Sequence, residues 1–176
     1  MFYAGIGARK TPDNVLQSME AVAAYLASEG HTLRSGGADG ADMAFENGCD
    51  RNQGKKQIFL PWEGFNNHPT SNRSNQFITR VKAHAVARDM AEKFHPAWGK
   101  LNEPAQRMMI RNCYQVLGPH LASKSDFILC WTPGGKVTGG TGQALRIAKH
   151  YEIPVLNFGS KSLDKIESEL MKILKG

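Results

Sequence analysis

The sequence predicts a single Rossmann-like α/β domain over residues 1–176: a parallel sheet of about five strands, helices on both faces, and a helical insertion at about 62–103. Three observations carry this expectation. Short apolar runs alternate with segments whose apolar residues recur at helical spacing, the pattern of strands joined by right-handed crossovers. Phe127-Ile128-Leu129-Cys130-Trp131 is almost unbroken in its apolarity, the mark of a central strand buried on both faces of a parallel sheet. Finally, four of the five strands run into glycine-containing polar loops, and in such sheets ligands bind beyond the carboxyl ends of the strands.

Each element follows from local chemistry. Phe2 to Ile6 is a short apolar run ending in Gly5-Ile6-Gly7-Ala8-Arg9, and Thr11-Pro12 supplies an N-cap and a proline for the helix that follows. Leu16, Met19, Val22, Ala23 and Leu26 keep helical period, and Gly30 stops the helix. His31-Thr32-Leu33 is a brief second strand. It leads into Arg34-Ser35-Gly36-Gly37-Ala38-Asp39-Gly40-Ala41-Asp42, then a helix from Ala38 to Glu46 that stops at Gly48. Gln57 to Pro61 is the third strand.

The insertion begins at Trp62, carries a helical pattern at Phe77, Ile78, Val81 and Ala85, and breaks at His95-Pro96. Pro104 opens a stronger helix with Ile110, Cys113, Tyr114, Leu117 and Leu121 on its apolar face, ending before Ser125. After the Phe127–Trp131 strand comes Thr132 to Gly142, a helix bearing Ala144, Leu145, Ile147 and Ala148, the strand Ile153 to Asn157, and a closing helix with Leu163, Ile166, Leu170, Ile173 and Leu174.

Composition narrows the functions. With 176 residues, 41% of them hydrophobic, the chain can bury one core, and a net charge of +6 favours an anionic partner although no block of Lys or Arg stands out. Cys49, Cys113 and Cys130 lie far apart without metal-ligand spacing, so they are expected to be reduced, in keeping with a cytoplasmic protein that uses no metal and no cofactor. No signal peptide and no membrane span are visible.

The glycine loops should converge on one edge of the sheet. The expected ligand set is Gly5, Gly7, Ala8 and Arg9 from the first loop, and Arg34, Ser35, Gly36, Gly37, Ala38, Asp39 and Asp42 from the second. To these are added Thr132, Gly134, Gly135, Lys136, Thr138, Gly139, Gly140, Thr141 and Gln143 from the third, with Arg107 and Arg111, one turn apart on the helix before the central strand, either reaching in as phosphate ligands or forming a solvated basic face. Paired glycines let the backbone approach a ligand, helix N-termini offer N–H groups to anions, and guanidinium groups bind phosphate through charge-assisted bonds. The carboxylates suit a ribose diol or base amine. Gly5-Ile6-Gly7 lacks the third glycine of a dinucleotide fingerprint and no Gly-Lys-Ser or Gly-Lys-Thr occurs, which disfavours nicotinamide chemistry and Walker-type hydrolysis. Trp62, Phe65 and Trp98 are candidates for packing or base stacking; His68, His84 and His95 for surface or capping roles; Met108-Met109 for interior filling or a dimer face.

Ser35-Gly36-Gly37-Ala38-Asp39-Gly40-Ala41-Asp42 resembles the Ser-Gly-Gly-Ala-x-Gly-x-Asp loop of the DNA-processing protein A (Smf) family. Thr138-Gly139-Gly140-Thr141-Gly142-Gln143-Ala144-Leu145-Arg146-Ile147-Ala148, followed by Ile153-Pro154-Val155, resembles that family's second glycine loop, helix and last strand. With the lonely-guy phosphoribohydrolases these form the SLOG superfamily, and the compact chain is similar to small SLOG-like proteins of bacteriophages. The resemblance implies a homodimer, joined by helices from about Asn75 to Ala122, that binds a nucleotide, an ADP-ribose-like or cyclic nucleotide signal, or single-stranded DNA. For a phage protein it implies sequestration of a host immune signal. Lonely-guy enzymes carry a glutamate where this chain has Arg146, so the resemblance implies binding without N-glycosidic cleavage, unless Asp39, Asp42 or Glu103 substitutes.

Overall fold

The computed structural model describes residues 1–68 and 85–176 and the backbone of 76–78. Strands β1 (Phe2–Gly7), β2 (Thr32–Ser35), β3 (Lys56–Leu60), β4 (Gln76–Ile78), β5 (Phe127–Trp131) and β6 (Val155–Asn157) form one sheet in the order β4-β3-β2-β1-β5-β6. Every pairing is parallel. Helices α1 (Asp13–Ser28), α2 (Ala41–Arg51), α3 (Ala85–Phe94), α4 (Glu103–Leu117), α5 (Gly139–His150) and α6 (Leu163–Lys175) cover it. The fold is the Rossmann-like α/β class expected.

The pleat divides the strands between two cores. Tyr3, Leu33, Phe127, Leu129 and Leu156 face α1, α2 and α6. Ala4, Ile6, Phe59, Ile128 and Cys130 face α3, α4 and α5. Side chains alternate along each strand with a period of two, so a strand buried on both faces must be apolar throughout, as β5 is. Chain order reverses between β1 and β5: β2, β3 and β4 extend the sheet to one side of β1, and β5 and β6 to the other. That reversal opens a crevice above the carboxyl ends of these two strands.

Several expectations are corrected. The sheet has a sixth strand, β4, so Phe77 and Ile78 belong to a strand and not to a helix; Val81 and His84 lie outside the described residues. β5 lies one place in from the edge, and β1 occupies the switch point. Thr11 does not cap α1, because its hydroxyl donates to the Ala8 carbonyl at 2.7 Å; Pro12 is the cap residue, with no side-chain bond.

Gly48 does not end α2 but lies inside it, where a Cβ would collide with the Glu20 carbonyl and stand 2.8 Å from the Ala23 methyl. It is the contact that lets α2 lie close against α1. In the same way, a Cβ on Gly5 would meet Phe45 Cγ at 2.5 Å and one on Gly7 would meet Ala41 Cβ at 2.6 Å. The Gly5-x-Gly7 spacing therefore serves the seating of α2 on the sheet, both positions falling on the same face of β1.

Candidate functional site

A cavity of about 360 Å³ occupies the β1–β5 crevice. One side is formed by Gly7, Ala8 and Arg9 after β1 and by Thr132 and Pro133 after β5; Thr138, Gly139, Gly140 and Thr141 at the start of α5 form another. Ala38 and Asp42 enter from the α2 side, and α4 supplies Met108, Met109, Arg111, Asn112 and Gln115. Ile6 and Ala144 complete the lining.

The first turn of α5 is the anion-facing feature. Its first intrahelical bond runs from the Gly142 N–H to the Thr138 carbonyl, so the N–H groups of Gly139, Gly140 and Thr141 have no partner within the helix. Thr138 forms no side-chain cap, and no acidic residue stands in that turn. The helix therefore presents its positive end to the cavity. Asn112 holds this turn against α4 by donating to the Gly140 carbonyl at 3.0 Å, and its own Oδ1 accepts from Arg111 Nε at 3.1 Å.

The loop from Ser35 to Gly40 behaves differently. Asp42 turns back on it and accepts from the Ala38 N–H at 3.4 Å, so α2 satisfies its own entrance with a carboxylate. Ser35 is wholly buried and donates to the Gly5 carbonyl at 2.7 Å. Gly36 lies against Arg111, whose guanidinium donates to its carbonyl; a Cβ there would overlap that side chain. Gly37 (φ +66°) gives room for His68, which stands 3.3 Å from Glu46 and is buried rather than at the surface. Asp39 accepts from Asn66 at 2.9 Å, and Asn66 also donates to the Gly37 carbonyl at 3.0 Å, so the segment after β3 clamps this loop from outside.

Arg34 is a correction of a different kind. It is 1% exposed and turned away from the cavity, donating to Gln57 at 2.8 Å and to the Ser123 carbonyl at 2.6 Å while stacking over Phe2. Burial pushes its guanidinium down to about 10. Arg107 also points elsewhere, into an ion pair with Glu103 at 2.5 Å. Gly134 and Gly135, both at positive φ, form a turn outside the lining, with Gly135 close to Ser160, and Lys136, which follows, does not line the cavity either. Gln143 is fully buried behind the wall and does not line the cavity, and neither does Gly5. Arg146 donates to the Phe94 carbonyl at 2.6 Å, so it holds α5 to α3 and not an anion in the cavity. Trp98 is packed in the core and Phe65 is buried beneath Arg111, which leaves neither to stack on a base in the cavity. His95 accepts from the Ala97 N–H at 3.1 Å, in the turn that follows α3.

Electrostatics centre on Arg111 and Asp42. Arg111 is 4% exposed; Nε and Nη1 are engaged by Asn112, Gly36 and Phe59, while Nη2 takes no hydrogen bond among the described residues. Burial lowers its pKa, the Asp42 carboxylate at 3.9 Å pulls the other way, and the nearby Arg9 charge lowers it further. Burial raises the Asp42 carboxyl to about 6, against the opposing pull of Arg111 and of backbone N–H groups. Two guanidinium groups thus converge on a cavity whose single lining carboxyl is held near the boundary of its neutral form.

Fold and site together define a class: a Rossmann-like α/β protein with a cavity of about 360 Å³ at the switch point and an uncapped helix N-terminus lining it. Neither the family models nor the curated proteins searched contain a match to this chain. Among solved structures, DNA processing protein A from Helicobacter pylori matches with a TM-score of 0.57 and 16% identity, over 99% of this chain and 80% of that one. That protein binds single-stranded DNA in what is described as a unique mode. The chain shares its fold. No helix among the described residues is long and apolar enough to cross a membrane.

Proposed function

We propose that this protein binds one nucleotide-type ligand in the β1–β5 cavity and does not cleave it. The observation that carries this reading is the open first turn of α5 lining the same cavity as Arg9 and the unsatisfied Nη2 of Arg111. Backbone N–H groups and guanidiniums suit phosphate, and Met108, Met109 and Ile6 offer an apolar wall to a base or sugar. A volume of about 360 Å³ lies near the lower end of the roughly 300–1,000 Å³ typical of small-molecule sites. It suits one nucleotide unit, with the remainder of an ADP-ribose-like or cyclic signal at the open mouth. Sequestration of such a signal, including by a phage protein, is the biological role that fits holding without turnover.

N-glycosidic cleavage needs a carboxyl group in reach of the sugar. Glu103 and Asp39 lie outside the lining, engaged with Arg107 and Asn66; Asp42 alone lines the cavity, set against the Ala38 N–H and Arg111, and is the carboxyl through which any turnover would run. The test is to incubate the protein in molar excess over nucleoside monophosphates, NAD and ADP-ribose, then denature it and weigh what is released by mass spectrometry. Intact ligand, retained by the native protein through gel filtration, is expected. Multiple turnovers releasing free base refute the second half of the reading, and retention of no nucleotide refutes the first.

The fold neighbour and the net charge of +6 favour a second reading, binding of single-stranded DNA. Salt separates the two. A DNA binder neutralising several phosphates loses affinity steeply between 50 and 200 mM salt, whereas a ligand held in a small cavity is affected much less.

A further inference from the structure

We infer that Gln115 reads the polar edge of the nucleobase, an inference that rests on the nucleotide reading of the cavity. Gln115 is 2% exposed, lines the cavity from α4, and its carboxamide forms no hydrogen bond among the described residues. That amide opens onto the cavity and is not sealed off as the partnerless amide of Gln143 is, so its donor and acceptor are free to meet a ligand. Neighbouring groups show that the position is built. Nε2 lies beside Gly36, close enough that a Cβ there would stand 2.5 Å away, and the Gln115 backbone carbonyl is anchored by the Ser125 hydroxyl at 3.1 Å. Arg111, one turn earlier on α4, is held by Gly36 and Asn112, so the face that carries Gln115 is rigid.

The chemistry selects the partner. A carboxamide offers one donor and one acceptor side by side, which matches a nucleobase edge carrying an adjacent acceptor and donor. It does not match phosphate, which has no donor to give. The phosphate therefore belongs at the α5 turn and the base at the α4–α2 end, with Met108 and Met109 against its face. Gln115 acts in recognition only and takes no part in any bond change.

The experiment compares wild type with Gln115→Leu and Gln115→Met by calorimetric titration, using AMP, CMP, GMP, UMP and, as the ligand lacking a base, ribose 5-phosphate. Thermal melts establish that each variant is folded. Both variants should lose roughly 5- to 150-fold in affinity for the nucleotide that wild type binds best, while ribose 5-phosphate binds all three proteins equally. The wild-type preference among the four bases should also flatten. Unchanged nucleotide affinity in folded variants overturns the inference and leaves the nucleotide reading standing. Equal losses for nucleotide and ribose 5-phosphate also overturn it, assigning Gln115 to the sugar or phosphate. Binding of none of the five probes by wild type overturns the inference, and the nucleotide reading falls with it only if NAD and ADP-ribose are not retained either.

Discussion

Replacing Asp42 with asparagine should stabilise the protein above pH 6 and leave it almost unchanged at pH 4. Asp42 is fully buried in the first turn of α2, and burial raises its carboxyl from 3.8 to about 6. The unfolded chain ionises this group near 3.9. Between pH 4 and 6 the unfolded state releases a proton that the folded state keeps, so stability falls as pH rises through that window and is level above it. The gap corresponds to about 3 kcal/mol at about 1.36 kcal/mol per pH unit. Asparagine keeps an acceptor for the Ala38 N–H and carries no charge to strip of water. For a chain of this length about 3 kcal/mol is roughly 6–12 °C in Tm. Thermal melts followed by circular dichroism at pH 4, 5, 6 and 7.5 read the difference directly: the curves for wild type and D42N should part between pH 4 and 6 and run parallel above. A lower Tm for D42N at pH 7.5 would refute the reasoning, because the ion pair with Arg111 would then outweigh the burial of the carboxylate.

Gly140→Val should abolish nucleotide binding while the chain stays folded, since a Cβ there meets only Met109 Cε at 3.3 Å and the rest of the side chain enters the cavity; circular dichroism and a titration with nucleoside monophosphates check both halves. Gly36→Val should instead lower stability by about 1–3 kcal/mol or more, because its side chain displaces Arg111 and Gln115, and a denaturant midpoint equal to wild type would show that the loop yields freely. The protein should sediment as a homodimer at micromolar concentration, a 19.4 kDa species alone being the contrary result. The contact should use the outer face of α3, where Val86 is 67% exposed, since Met109 to Leu117 of α4 are already buried within the protomer.

What the sequence revealed and what it hid divide along physical lines. Periodicity located β1, β5, α1, α4 and α6, because apolar spacing is set by which face meets a core, and every one of these meets a large one. It missed β4, a three-residue edge strand too short to show alternation. Glycines were the ambiguous signal. Gly5, Gly7 and Gly48 serve close helix packing and Gly36 serves the Arg111 guanidinium, whereas Gly139 and Gly140 leave a helix end open to the cavity. A string of letters does not distinguish a backbone approached by a side chain from one approached by a ligand. Asn112 and Gln115 were overlooked although they left a trace: polar residues one and four positions after Arg111, interleaved with the apolar face Ile110, Cys113, Tyr114 and Leu117. A helix that buries three polar side chains on one flank is lining something.

The double duty of Arg111 limits how such a site can diversify. Its guanidinium ties α4 to the ends of β2 and β3 through the Gly36 and Phe59 carbonyls, and the same group faces the cavity. Altering this residue changes the architecture and the cavity wall in one step. Met108 and Gln115, on the same helix, carry no such tie through their side chains. Substitutions there should reshape the cavity without loosening α4, which a substitution at Arg111 cannot do.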